Sequence, residues 1–237
     1  MVIFLQTNPF FDAYTESDLL GKLIFIGLII LSIMSWSIII YKVWMTRRVK
    51  RDSYAFKKSF QEQKQNPLDV QFSYLSNPEC PNAFYILYDM LKTKTKEILD
   101  KNQKVASKSY LSPDDVDLLE SCSVSTISSL TKYLDKNTYL LSTVVTLAPF
   151  LGLLGTVYGI LTTFSGMKTD ATIGSHQMVL GGLSLALTTT VVGLVDAIPA
   201  LIGYNYLKNE IHNFDSEMNR FATDVLTSLE MHFREVE

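Results

Sequence analysis

Three long runs of apolar residues most constrain what this chain can fold into. The first lies between Lys22 and Lys42, and its inner part, residues 23–41, carries no charge. The second covers residues 139–167 without a charge, and the third covers residues 178–206 with one charge, Asp196. A helix of about 20 apolar residues crosses the hydrocarbon core of a bilayer. We therefore predict an all-α integral membrane protein with three transmembrane helices.

The distribution of basic residues predicts how these spans are oriented. Acidic residues and no bases precede the first span, whereas Lys and Arg gather in residues 42–58, where only Asp52 opposes them. Because Lys and Arg collect in cytoplasmic loops, we expect the N-terminus outside and the C-terminus inside. The predicted order is a periplasmic N-terminus (1–18), transmembrane helix 1 (19–44), a cytoplasmic helical region (45–137), transmembrane helix 2 (138–166), a periplasmic loop (167–177), transmembrane helix 3 (178–206) and a cytoplasmic helical tail (207–237).

The second and third spans are predicted to extend into the cytoplasm as long helices. Ser112-Pro113-Asp114-Asp115 is typical of a helix start, with a capping serine, a proline in the first position and acids in the first turn. From there apolar residues recur without a breaker, so one helix is expected to run into the second span. The tail after the third span also has helical spacing and is expected to continue that span.

Small residues distinguish the second and third spans from the Leu- and Ile-rich first span. Such residues let helix backbones approach closely, and simple helix packing would explain them. Pro149 removes a backbone hydrogen bond and is expected to kink or loosen its helix. The candidates for helix packing or pore lining are Gly152, Gly155, Gly159, Gly182, Gly193, Pro149 and Pro199.

Polar side chains inside the spans are the candidates for a proton pathway. A charged Asp at the centre of a spanning helix costs ~2.5–3.5 kcal/mol on insertion scales, so Asp196 is the most informative residue. Its place near the predicted cytoplasmic end leaves hydration at the interface as the alternative. Thr189 lies on nearly the same helix face, whereas Thr190 points ~120° away from Asp196. Thr156 offers a further hydroxyl in the second span.

Other functional classes are not supported by the composition or by motifs. The formal net charge of −3 does not favour binding to nucleic acid. The three histidines are scattered and no Cys-x-x-Cys occurs, so no metal site is expected. Walker and His-Glu-x-x-His motifs are absent, so we expect no catalytic residues, no cofactor and no enzyme activity.

Two sequence blocks resemble the signatures of the TolQ/ExbB/MotA proton-channel family. Residues 148–160 resemble its second-span signature, and residues 182–205 resemble its third-span signature, with the core Gly-Leu-x-x-Ala-Ile-Pro-Ala at 193–200. Residues 32–40 are similar to the first span of the TolQ branch. The resemblance therefore covers all three spans, within the TolQ/ExbB branch and closest to TolQ.

The resemblance implies a multi-pass protein of the bacterial inner membrane. Such proteins form a ring, often a homopentamer, around two copies of a single-span TolR/ExbD-like protein, with a TolA/TonB-like protein as a further partner. The family's ring threonines match Thr156 and Thr190. The implied function is a proton-driven motor subunit of a Tol-Pal-type system, which supports outer-membrane integrity and constriction during division. The alternatives are an ExbB-type subunit that energises TonB-dependent transport and a structural scaffold that conducts no protons.

One position departs from the family pattern. Leu185 stands where the family's third span usually carries a glutamate. Asp196 follows eleven residues later, and this separation places it within ~20° of Leu185 on the helix. Our hypothesis is that Asp196 supplies the acid missing at Leu185.

Overall fold

The structure is a computed structural model that describes residues 14, 19–63, 67–70, 72, 80–106, 110–167 and 175–233. At residues 105–106, 166–167, 175–181 and 185 only the backbone is described. The two predicted periplasmic segments, 1–18 and 167–177, fall mostly outside the described residues. Where residues 167–177 are described, only their backbone is described. The same holds for Leu185.

Five long helices make up the described part of the chain. They are α1 (Leu19–Glu62), α2 (Ala83–Ala106), α3 (Pro113–Asp135), α4 (Thr138–Met167) and α5 (Ser175–Phe233). The all-α prediction is confirmed for these residues. Helices α1, α4 and α5 each contain a stretch long and apolar enough to cross a membrane, which confirms the prediction of three such helices. The orientation of the three helices stays a prediction.

The chain divides into two compact units. The apolar unit combines the described residues of Met1–Ile40 with Asn137–Tyr206, and the aromatic-core unit combines Tyr41–Lys136 with Leu207–Glu237. In the apolar unit, α1, α4 and α5 share a small core that includes Leu28, Val144 and Ala200. This core is modest because most large side chains of the three helices point outward.

Phenylalanines dominate the core of the aromatic-core unit. Phe84 stacks on Phe221 with 4.8 Å between ring centroids and on Phe214 with 5.5 Å. Phe56 and Phe60 meet Phe221 edge to face. All five rings are at most 1% exposed, so this unit has the buried core of an ordinary water-soluble domain.

The predicted start of α3 is confirmed as a capping box. The Ser112 hydroxyl accepts from the Asp115 N–H at 3.2 Å, and the Asp115 carboxylate accepts from the Ser112 N–H at 3.0 Å. Partial burial raises the pKa of Asp115, but the hydrogen bonds from Ser112 and Asn102 outweigh it and hold that pKa below its ordinary value. The carboxylate therefore stabilises this helix start above about pH 4, and its contribution is lost as the pH falls through the lowered folded pKa.

The prediction of one helix from Pro113 into the second span is wrong. Helix α3 ends at Asp135, α4 begins at Thr138, and Asn137 between them has a φ of 68°. Asparagine adopts this left-handed conformation more readily than other residues with a side chain, so it ends a helix without Gly or Pro. The Lys42 ammonium donates to the carbonyl of Leu134 at 2.9 Å, which satisfies one of the last carbonyls of α3.

The prediction that the tail continues the third span as one helix is confirmed, because α5 runs without a break from Ser175 to Phe233. The cytoplasmic location of this tail stays a prediction. Helix α1 is also longer than its predicted span, since it ends at Glu62 rather than near residue 44. Two of the three apolar stretches therefore belong to helices that continue well beyond the length a bilayer requires.

Candidate functional site

Glycines bring the backbones of α4 and α5 into contact along one seam. A Cβ atom added to Gly193 would lie 2.6 Å from the carbonyl oxygen of Ala148, and one added to Gly159 would lie 2.8 Å from that of Gly182. A Cβ atom on Gly152 would lie 3.0 Å from the Cα of Thr190. Contacts this short with backbone atoms leave no room for a side chain, so the seam requires glycine at these positions.

Two further glycines of the seam face threonine side chains. A Cβ atom on Gly155 would overlap the side chain of Thr189, and one on Gly182 would overlap the hydroxyl of Thr163. Thr163 itself donates to the carbonyl of Gly159 at 2.8 Å. The seam thus combines close backbone contact with hydroxyls that are satisfied inside the protein.

The carbonyl oxygen of Gly152 accepts from two neighbouring threonines of α5. Thr190 donates to it at 3.1 Å, and Thr189 lies at 3.4 Å while also donating to the carbonyl of Ala186 at 2.9 Å. Thr189 is fully buried, whereas Thr190 is half-buried. The predicted pathway residue of the second span, Thr156, lies one turn after Gly152 and donates to the carbonyl of Leu153 at 2.7 Å. The structure therefore places Thr190 one helical turn from Thr156.

Asp196 is buried at a different contact. Its side chain is 9% exposed, and Ser32 of α1 is its hydrogen-bonding partner. Among the described residues, the second carboxylate oxygen, Oδ2, has no hydrogen-bond partner. Thr189 contacts α4 and Asp196 contacts α1, so the structure does not bring these two side chains into one hydrogen-bonded group.

Both prolines lie inside continuous helices. Pro149 is within α4 and Pro199 is within α5. Because proline has no N–H, the carbonyls of Val145 and Val195, four residues earlier, lack their usual helical donor. Each span therefore contains one backbone oxygen that is available to another donor.

The contribution of α1 to this unit was not predicted from the sequence. Ser35 is 2% exposed, and the side chain of Ile39 lies so close to Gly203 that an added Cβ atom would meet it at 2.8 Å. The signal that was available is the presence of three serines, Ser32, Ser35 and Ser37, in a largely apolar run. A hydroxyl there needs a partner once it is removed from water.

The outer faces of the three apolar helices are covered with large exposed hydrophobic side chains. Ile30 is 58% exposed, Phe150 is 68% exposed and Ile202 is 64% exposed. Monomeric soluble proteins rarely expose such continuous apolar surface. These faces suit lipid or other apolar helices. In the part of the chain that the structure describes, no group of three or more His, Cys, Asp or Glu residues gathers to hold a metal ion.

Comparison with known proteins agrees with this architecture. The MotA/TolQ/ExbB proton channel family matches residues 90–220, which contain α3, α4 and the part of α5 that forms the seam. The chain is similar to the biopolymer transport protein ExbB of Pseudomonas putida, with 30% identity over 90% of this chain and 61% of that protein. It therefore spans less than two thirds of the length of that relative.

Two further relatives are matched over most of their length. ExbB of Salmonella typhimurium is 26% identical over 90% of this chain and 83% of its own. The Tol-Pal system protein TolQ of Haemophilus influenzae is 26% identical over 93% of both chains. The family is one of membrane proton channels rather than enzymes. With three apolar helices, a glycine seam between the last two and a family match over more than half of its length, the chain belongs to the MotA/TolQ/ExbB proton channel family.

Proposed function

We propose that this chain is the ring subunit of a proton-driven motor in the bacterial inner membrane. In this proposal several copies, as a homopentamer, surround two copies of a single-span TolR/ExbD-like protein. Protons pass down their gradient beside the ring, and the energy released is ~2.3 kcal/mol per charge for 100 mV. The N-terminus lies in the periplasm, and the aromatic-core unit lies in the cytoplasm.

The observation that carries this proposal is a pair of threonine hydroxyls, those of Thr190 and Thr156, at the seam. Both residues lie within the part of the chain that matches the family, residues 90–220. Thr190 and Thr156 are half-buried, and each donates to a backbone carbonyl of α4. A hydroxyl held in this way keeps its oxygen available as an acceptor without carrying a charge. Such groups suit a path along which a partner's acid is protonated and released.

Asp196 has a separate role in this proposal. It is the one acid in the three apolar runs, and it is buried with an unpartnered oxygen among the described residues. Since Leu185 replaces the family's usual glutamate, Asp196 is the ring's own candidate for proton exchange. Its contact with Ser32 of α1 favours a position beside the α4–α5 seam rather than on it.

Within the family we favour a role in a Tol-Pal-type system, with a TolA-like protein as the further partner. The match to TolQ of Haemophilus influenzae covers 93% of both chains, so the two have nearly the same extent. ExbB proteins are also matched, and the specific observation in favour of an ExbB-type role is the higher identity, 30%, to the protein from Pseudomonas putida.

Removal of the hydroxyl at Thr190 or Thr156 is expected to reduce proton flux by about tenfold, the effect of losing one hydrogen bond to a charged or titrating group. Valine has nearly the same shape as threonine, so Thr190→Val and Thr156→Val should assemble normally. Flux is measured with a pH-sensitive dye in vesicles that contain the chain and its single-span partner. Asp196→Asn is included and is expected to lower flux as well.

The matched control is Thr146→Val. Thr146 is an exposed threonine of α4 that donates to carbonyls of its own helix, as Thr156 does, and its replacement should leave flux unchanged. Full flux in both Thr190→Val and Thr156→Val would contradict the proposed pathway. If the wild-type chain and partner conduct no more than empty vesicles, the structural scaffold is the better assignment.

Complementation is expected to separate the two family roles. A Tol-Pal-type subunit should restore detergent resistance and normal constriction to cells that lack TolQ. The same subunit should be much less effective in restoring TonB-dependent uptake to cells that lack ExbB. The chain is supplied with its own single-span partner in both strains, so that a mismatch between partners does not decide the result. The reverse pattern would assign the ExbB-type role.

A further inference from the structure

A basic pocket lies on α1, directly after its apolar stretch. It has a volume of about 230 Å³ and is lined by Trp44, Arg47, Arg48 and Arg51. The three arginines follow Trp44 by three, four and seven positions, so the four residues occupy one face over about two helical turns. Neither the proton pathway nor the contact between α4 and α5 involves this face.

Two of the arginines in the pocket share a single carboxylate. Asp52 pairs with both Arg48, at 4.0 Å, and Arg51, at 3.4 Å. One carboxylate shared by two guanidinium groups leaves an excess of positive charge. The neighbouring Lys50 is engaged elsewhere, because its ammonium lies 2.9 Å from the carboxylate of Glu210. The pocket is therefore suited to a ligand that carries negative charge.

One donor in the pocket, the Nε atom of Arg48, lies 4.0 Å from Oδ2 of Asp52, which is beyond hydrogen-bond distance. The Nε atom of Arg48 is inaccessible and has no hydrogen-bond partner among the described residues. Its guanidinium group lies 5.2 Å from the ring centroid of Trp44, in a cation–π contact that holds the side chain in place. A planar guanidinium held in this way matches the oxygens of a phosphate group.

With the uncharged run of α1 placed in the hydrocarbon core, helix geometry puts the pocket at the depth of lipid headgroups. Trp44 follows the end of the uncharged run by three residues, or ~4.5 Å along the helix. Helical side chains tilt toward the N-terminus, and Arg48 reaches back one turn to Trp44. The headgroup layer extends about 5–7 Å beyond the hydrocarbon core. The guanidinium of Arg48 therefore reaches the layer that contains the phosphates.

We propose that this pocket binds the phosphate of an anionic phospholipid in the leaflet next to this end of α1. The arginines hold the phosphate oxygens, and Trp44, which is 54% exposed, contacts the glycerol and the first acyl carbons. Free phosphate offers the same oxygens but nothing for the indole ring to contact. This assignment does not depend on the proposed motor function.

Native mass spectrometry of the purified full-length chain tests the proposal. The delipidated protein is supplied with phosphatidylglycerol or phosphatidylcholine, and bound lipids are counted. We expect phosphatidylglycerol to be retained preferentially. The triple variant Arg47→Gln/Arg48→Gln/Arg51→Gln should retain about tenfold less, because basic residues near the surface dominate the attraction of anionic lipid. The matched control, Lys58→Gln/Lys96→Gln/Lys104→Gln, removes three exposed charges elsewhere and should retain the wild-type amount.

Three results would overturn the proposal. Equal losses in the triple variant and in the lysine control would mean that overall charge alone attracts the lipid. Undiminished retention in the triple variant would exclude the pocket. Displacement of the lipid by an equal concentration of inorganic phosphate would assign a free-phosphate site. If the triple variant does not fold, Arg51→Gln alone decides, because its side chain is 79% exposed and its loss should still lower retention severalfold.

Discussion

Replacing Phe221 with alanine is expected to destabilise the aromatic-core unit by about 3–5 kcal/mol. The ring is 1% exposed and stacks on Phe84 at 4.8 Å with an angle of 17° between the two planes. It also meets Phe56 and Phe60 edge to face. Truncation therefore removes the central ring of the cluster and leaves a cavity that the surrounding rings cannot fill without losing their own contacts.

Thermal unfolding in detergent, followed by circular dichroism, measures this effect. The control is Met231→Ala on the same helix, where the side chain is 79% exposed and truncation should change the free energy of unfolding by less than about 0.5 kcal/mol. The unfolding temperature of Phe221→Leu should lie between those of Phe221→Ala and Met231→Ala, because leucine fills part of the volume of the ring. Equal unfolding temperatures for Phe221→Ala and Met231→Ala would contradict the placement of Phe221 at the centre of this core.

The second large effect is expected at Gly193 in the seam between α4 and α5. An added Cβ atom would lie 2.6 Å from the carbonyl oxygen of Ala148 and 3.3 Å from the Cα of Gly152. Both are backbone atoms, so the helices must separate to admit a methyl group. Overpacking of this kind costs about 1–3 kcal/mol, although the better helix propensity of alanine offsets up to about 1 kcal/mol of it. Gly193→Ala should therefore unfold at a lower temperature than the wild type.

Gly27 provides a control with the same chemical change in the same unit. An added Cβ atom there would meet only the Cδ1 atom of Leu151, at 4.0 Å, which is an ordinary contact. Gly27→Ala should therefore be neutral or raise the unfolding temperature slightly. Gly193→Ala is expected to lower the unfolding temperature, whereas Gly27→Ala is expected not to lower it. A raised unfolding temperature in both variants would mean that helix propensity, rather than the seam, determines the outcome.

The parts of the fold that the sequence predicted are those with a strong local signal. Long uncharged runs identify the three apolar helices, and Ser112 and Asp115 identify the start of α3 from their spacing alone. The end of α3 was missed because it depends on the left-handed backbone of Asn137, which asparagine tolerates without requiring it. The extension of α1 to Glu62 depends on packing in the aromatic-core unit, and the polar residues after Trp44 do not reveal that packing.

In the candidate site, too, the residues were predicted from the sequence but their contacts were not. The glycines, Thr156 and Thr189 were recognised from residue type and spacing, whereas the role of Thr190 was implied by the family resemblance. The partners of these residues were not recognised, because a hydrogen bond such as Thr190 to Gly152 joins residues 38 positions apart. The contact between Asp196 and Ser32 was missed for the same reason. Helix periodicity gives the face on which a residue lies but not the helix that packs against that face.

Because the hydroxyls of Thr190 and Thr156 donate to the carbonyl oxygens of Gly152 and Leu153, they are left as hydrogen-bond acceptors for any further group. Each hydroxyl has a single hydrogen, and in both residues it points at a backbone oxygen. What remains at each threonine oxygen is its two lone pairs, which can only accept hydrogen bonds. A carboxylate approaching these oxygens finds no donor, whereas a carboxylic acid or a hydronium ion brings its own. In the proposed pathway, the two threonines therefore favour a protonated group over the same group after it has lost its proton.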